Sequence, residues 1–149
     1  MFTKLRLAFR EAIENFKEEI NRDVTADTEN SLIGAMKLEI ANTQDEIEHL
    51  ESAIKKTLGN TKSEKYREKT CRRREKMALE IGDEETARIA KQYAEKHEYK
   101  QGVLKQKSLA LKNELEMRRG EYQQMIEAIE IAKKSSENHP NDYQNGVET

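Results

Sequence analysis

The chain has 149 residues, 35% hydrophobic and 38% charged, with three Phe, no Trp, six Gly and one Pro. That is too little apolar bulk for one ordinary globular core, while the dominance of Ala, Glu, Lys, Leu and Arg suits long, thin helices. A net charge of −2 and a single Cys exclude a whole-chain electrostatic argument for nucleic acid, an internal disulfide and a Cys-rich metal site. One thiol suits a reducing cytoplasm. No apolar run approaches the roughly 18 residues that span a bilayer, and the charged amino terminus lacks a secretion signal's apolar stretch. The chain therefore reads as soluble or peripherally attached.

Residues 1–23 predict an amphipathic helix. At about 100° per residue, Phe2, Leu5, Phe9, Ala12, Ile13, Phe16 and Ile20 fall on one stripe, which holds every Phe of the protein. Lys4, Arg6 and Arg10 stand among the first ten residues, where no acid occurs. Bulky apolar groups beside cations suit an interfacial helix, because the rings enter the acyl boundary while the cations meet anionic headgroups. The candidate membrane-binding residues are accordingly Phe2, Lys4, Leu5, Arg6, Phe9, Arg10, Ile13 and Phe16. Packing of the same stripe on the next helix is the alternative, since Glu11, Glu14, Glu18 and Glu19 weaken the second half as a lipid binder.

Residues 24–30 form a polar break in which Asp27, Thr28 and Asn30 are candidate helix caps. A second helix is expected over 31–81. Its seam, Met36, Ile40, Thr43, Ile47, Leu50, Ile54 and then Thr57 or Leu58, advances by alternating threes and fours, as a coiled coil requires. Beyond Leu58 the pattern loosens to Tyr66, Thr70, Met77 and Ile81, and Gly59-Asn60 is a place for a kink, although helical neighbours favour continuity. A third helix is expected over 84–134. Its repeat runs through Thr86, Ala90, Tyr93, His97, Gln101, Leu104, Ser108, Leu111, Leu115, Arg118, Tyr122, Met125, Ile129 and Ala132. Residues 135–149 hold the sole Pro without periodicity and are expected to be a disordered tail.

The two long helices are nearly equal, each roughly 75 Å at 1.5 Å per residue. Between them Gly82 suits the left-handed position that closes one helix, and Asp83 can cap the next with Glu84 and Glu85 in its first turn. The predicted fold is all-α: an amphipathic amino-terminal helix followed by a long antiparallel coiled-coil hairpin with its tip near residues 82–85. Folding there sets Ile54 beside Leu111, Leu50 beside Leu115 and Tyr66 near Gln101.

Charge then acquires a direction. Residues 27–54 contain seven acids and one Lys, whereas 55–77 contain ten Lys or Arg and three acids. Arg72, Arg73 and Arg74 are candidates for contact with an anionic surface or with another subunit, and a solvated face pairing with a neighbour's acids outweighs a phosphate-rich surface, whether nucleic acid or lipid, as their use. Staggered hairpins would set basic segments against acidic ones, an arrangement that favours repeating assembly.

Ala78, Leu79, Gly82, Asp83, Glu84, Glu85, Ala87, Arg88 and Ala90 together resemble the hairpin tip of the phage shock protein A (PspA) and plastid vesicle-inducing protein family, bacterial relatives of ESCRT-III. The order of elements over residues 1–134 is similar as well. The chain looks like a short form, ending where longer members continue into further helices. The resemblance implies a peripheral protein on the cytoplasmic, inner face of the cell membrane that self-assembles, alone or with a longer paralogue, supports membrane under stress and in some members restrains a regulatory protein. The alternative is a soluble coiled-coil adaptor for a protein partner, with no membrane role.

Enzymatic chemistry finds little support in the sequence. His49, His97 and His139 are widely separated, and no GxxxxGK[ST] loop is present. Cys71 has basic neighbours but no partner His at readable spacing, so it reads as an incidental thiol. The expectation is a non-enzyme without cofactor or metal.

Overall fold

The computed structural model describes residues 26–137, with side chains from 31 to 134, together with Glu11. The expected amphipathic helix over 1–23, with all its membrane-facing candidates, lies outside the described residues, as does most of the expected tail. Two helices, α1 (Ala26–Glu80) and α2 (Glu84–Glu137), pack against each other as a hairpin, and no strand occurs among the described residues. Among the described residues α1 is helical from Ala26, so Asp27, Thr28 and Asn30 lie in helix and not in a break, and α2 is helical to Glu137. The helix runs unbroken through Gly59-Asn60.

Three backbone hydrogen bonds make the turn. Gly82 adopts φ 74°, and its N–H donates to the Leu79 carbonyl at 3.2 Å while Asp83 N–H donates to the Ala78 carbonyl at 2.9 Å. These are the paired bonds that close a helix on a left-handed glycine. Asp83 then starts α2: its carbonyl accepts from Ala87 N–H, and its carboxylate accepts from Thr86 N–H at 3.1 Å and from the Thr86 hydroxyl at 2.6 Å. One residue thus ends the first helix and caps the second. The two bonds from Thr86, the hydroxyl foremost, hold the Asp83 carboxyl below its ordinary value of 3.8.

The hairpin divides into two compact units. The first, Glu46–Arg118, carries the turn, and the second contributes 26–45 and 119–137 to the described structure. In Glu46–Arg118 the inward positions on α1 are Ile47, Leu50, Ile54, Thr57, Thr61, Glu64, Glu68, Cys71, Glu75 and Ala78, all buried or half-buried. On α2 they are Ala87, Ala90, Ala94, His97, Gln101, Leu104, Ser108, Leu111, Leu115 and Arg118. Both series alternate threes and fours without interruption. Counted outward from the turn, Ala78 stands level with Ala87, Cys71 with Ala94, Thr57 with Ser108 and Leu50 with Leu115.

The sequence pattern needs correction nearest the turn. Thr57, not Leu58, is the buried choice, and Tyr66, Met77 and Ile81 are not on the seam but exposed, at 71%, 58% and 80%. On α2 the expected Thr86 and Tyr93 are also exposed, and Ala87 and Ala94 take their places. Large groups mark a seam only where helices stand far enough apart to hold them. Here the buried side chains are small, with Ala94 fully inaccessible, so the helices can approach closely. Tyr66 is consequently not the neighbour of Gln101; Glu68 is, accepting a hydrogen bond from the Gln101 amide.

The second unit is built on Met36, Ile129 and Ala132, packed by Leu32, Ile33, Ile40 and Ala128. Thr43 is fully buried on the same helical stripe and satisfies its hydroxyl by donating to the Glu39 carbonyl at 2.9 Å. Met36 and Met125 fill core positions, whereas Met77 and Met117 are exposed.

Candidate anionic-surface interface

The three acids of the basic segment 55–77 occupy seam positions. Glu64 accepts from His97 Nδ1 and pairs with Arg67 at 3.3 Å. Glu68 accepts from Gln101 and lies 3.9 Å from Arg72, and Glu75 lies 3.6 Å from the same guanidinium. The His97 hydrogen bond, more than the nearby positive charges, holds the Glu64 carboxyl below its ordinary value of 4.5. All three acids are at most half-exposed and are committed to neighbours within the hairpin.

The cations face the other way. Lys55, Lys56, Lys62, Lys65, Arg67, Lys69, Arg73, Arg74 and Lys76 are all exposed, and no acid in 55–77 is. Lys55, Lys62, Lys69 and Lys76 recur every seven residues and so form a row along one face of α1. Facing parts of α2 add exposed Arg88, Lys91, Lys96, Lys100, Lys105 and Lys107, against exposed Glu95 and Glu98. Segment 55–77, already basic by count, thus exposes cations and no acid.

The candidates Arg72, Arg73 and Arg74 separate into two roles. Arg72 is half-buried and bridges Glu68, Glu75 and, across the hairpin, Glu98 at 3.1 Å, which makes it a structural clamp. Arg73 and Arg74 project outward. Near the tip, Ala78 and Ala87 are buried spacers, Gly82 and Asp83 make the turn, and Leu79, Glu84, Glu85 and Arg88 are exposed. Together with Met77 and Ile81, Leu79 gives the tip an apolar surface.

Two openings run along the opposite flank. One, of about 530 Å³, is lined by Tyr66, Arg67, Arg74, Ile89, Tyr93 and His97 among others. The other, of about 460 Å³, shares Arg67 and includes Tyr99, Lys100 and Val103. Lys96 Nζ stands 5.4 Å from the centre of the Tyr93 ring, a cation–π contact. Cys71, half-buried on the seam, borders the first opening.

Sequence reading missed the inward placement of Glu64, Glu68 and Glu75. The signal was present in the unbroken alternation from Thr57 through Thr61, Glu64, Glu68, Cys71, Glu75 and Ala78, but polar side chains hid it. Among the described residues no group of three or more His, Cys, Asp or Glu is placed to hold a metal ion, and no helix is long and apolar enough to cross a membrane. Compared with protein-family models, curated proteins and solved structures, the chain matches none.

Proposed function

We propose that this chain is a non-catalytic, self-assembling scaffold on anionic membrane, similar in kind to the PspA family and acting on the cytoplasmic face. The observation that carries the reading is the sorting of charge in 55–77, where the acids turn into the seam and the cations turn out. Phosphate headgroups at a membrane surface attract such cations at about 1 kcal/mol each. The amino-terminal stripe, with Phe2, Phe9 and Phe16 beside Lys4, Arg6 and Arg10, supplies the apolar anchor that a purely electrostatic surface lacks.

Co-sedimentation with vesicles tests the two parts separately. Full-length protein is expected to pellet with phosphatidylglycerol-containing vesicles and not with phosphatidylcholine alone. A chain lacking residues 1–22 should keep weak, salt-sensitive binding and lose the salt-resistant fraction. Equal binding by both chains would remove the helix as anchor, and no binding by either would favour the soluble adaptor.

A further inference from the structure

Helix α2 carries a second seam besides the one it turns toward α1. Ile89, Tyr93, Lys96, Lys100, Val103, Lys107, Ala110, Glu114 and Met117 advance by alternating fours and threes, and every one is exposed. This is the spacing of a coiled-coil contact. Ile89, Tyr93, Val103 and Met117 are large apolar groups on that row, each more than two-fifths exposed. The two openings described above lie along it, between α2 and the outer side chains of α1, and supply holes for knobs from another helix.

The order of residues on the row selects the occupant. Lys96, Lys100 and Lys107 precede Ala110, and Glu114 follows it. We propose that a second copy of this chain covers the row, with its α2 antiparallel and the two-fold axis passing near Ala110. Lys107 of each copy then faces Glu114 of the other. Val103 and Met117, equally spaced about Ala110 in sequence, face each other twice, and the central alanines permit close approach. A parallel copy would set lysine on lysine and glutamate on glutamate. The antiparallel arrangement is isologous and closes as a dimer. It rests on the self-assembly part of the reading above and gives it a first contact, one that forms without lipid.

Sedimentation equilibrium of the lipid-free full-length protein tests the proposal. The expected mass is twice 17.4 kDa. Lys107→Glu alone and Glu114→Lys alone should each weaken dimerisation by about tenfold, since each turns two attractions into two repulsions, and the double variant should recover it. In a Cys71→Ser background, Ala110→Cys should form a disulfide-linked dimer under mild oxidation, whereas Lys105→Cys, on the other flank, should not. A monomer at high concentration overturns the proposal whatever the vesicle result. So does failure of the charge-swapped double variant to recover, or equal cross-linking at 105 and 110. Dimer formation without vesicle binding would uphold it and refute the membrane reading.

Discussion

Ser108→Ala should stabilise the hairpin. Ser108 is 5% exposed, and its Oγ is a buried polar atom with no hydrogen-bond partner. Its level neighbour Thr57 already donates its hydroxyl to the Ala53 carbonyl at 2.7 Å and so has no proton to offer. Burying an unsatisfied hydroxyl costs about 1–3 kcal/mol, and replacing Ser by Ala in a helix interior adds about 0.5 kcal/mol of propensity. The void left by one oxygen is small beside these. Ser52→Ala, at an exposed position on α1, isolates the propensity part because its hydroxyl is solvated. Urea unfolding followed by circular dichroism at 222 nm should show the Ser108 variant more stable than the parent by about 1.5–3.5 kcal/mol, with an unchanged slope. The Ser52 variant should gain about 0.5 kcal/mol. Equal gains at the two sites would refute the claim that the Ser108 hydroxyl is buried at a cost.

Two further perturbations probe the turn and the polar seam. At Gly82, φ is 74° and a new Cβ would meet nothing within 4 Å, so Gly82→Ala has only the conformational penalty; a loss of about 1–2 kcal/mol in urea unfolding is expected, and a neutral result would contradict the left-handed turn. Glu64 and Asp83 both titrate below their ordinary values of 4.5 and 3.8, so each contributes stability that is complete above those values and is lost as pH falls through the depressed folded-state values. Thermal midpoints should therefore fall on acidification, and Glu64→Gln should flatten the profile; an unchanged profile in that variant would remove the His97–Glu64 bond as a source of acid sensitivity.

The hairpin was legible because Gly82-Asp83 has one good use between two helix-forming stretches, and because Ile47, Leu50, Ile54, Leu111 and Leu115 are large and apolar where the helices meet. Near the tip the same reasoning failed for a physical reason. Where Ala78, Ala87, Ala90 and Ala94 set a close approach, bulk moves outward, and Tyr66, Met77, Ile81 and Tyr93 are the residues that stand clear. The slip on α2 could have been seen in the spacing, since Gln101 to His97 to Tyr93 takes two consecutive steps of four, whereas strict alternation leads to Ala94. Charge suffered most from being read as a count. Glu64, Glu68 and Glu75 lower the formal charge of their segment but leave its outer surface basic, a distinction that depends on which positions face inward.

Membrane attraction through that outer surface is the central claim, and reversal of the exposed lysine row tests it most directly. Lys62→Glu, Lys69→Glu and Lys76→Glu in one full-length chain change three exposed residues and leave the seam and the turn intact. Binding to phosphatidylglycerol vesicles at about 0.1 M salt, near a Debye length of about 10 Å, is the quantity to measure, with circular dichroism confirming the helix content. The account predicts a loss of at least about tenfold in apparent affinity for the reversed chain, since several contacts of about 1 kcal/mol become repulsive. Undiminished binding by a folded, charge-reversed chain would contradict it.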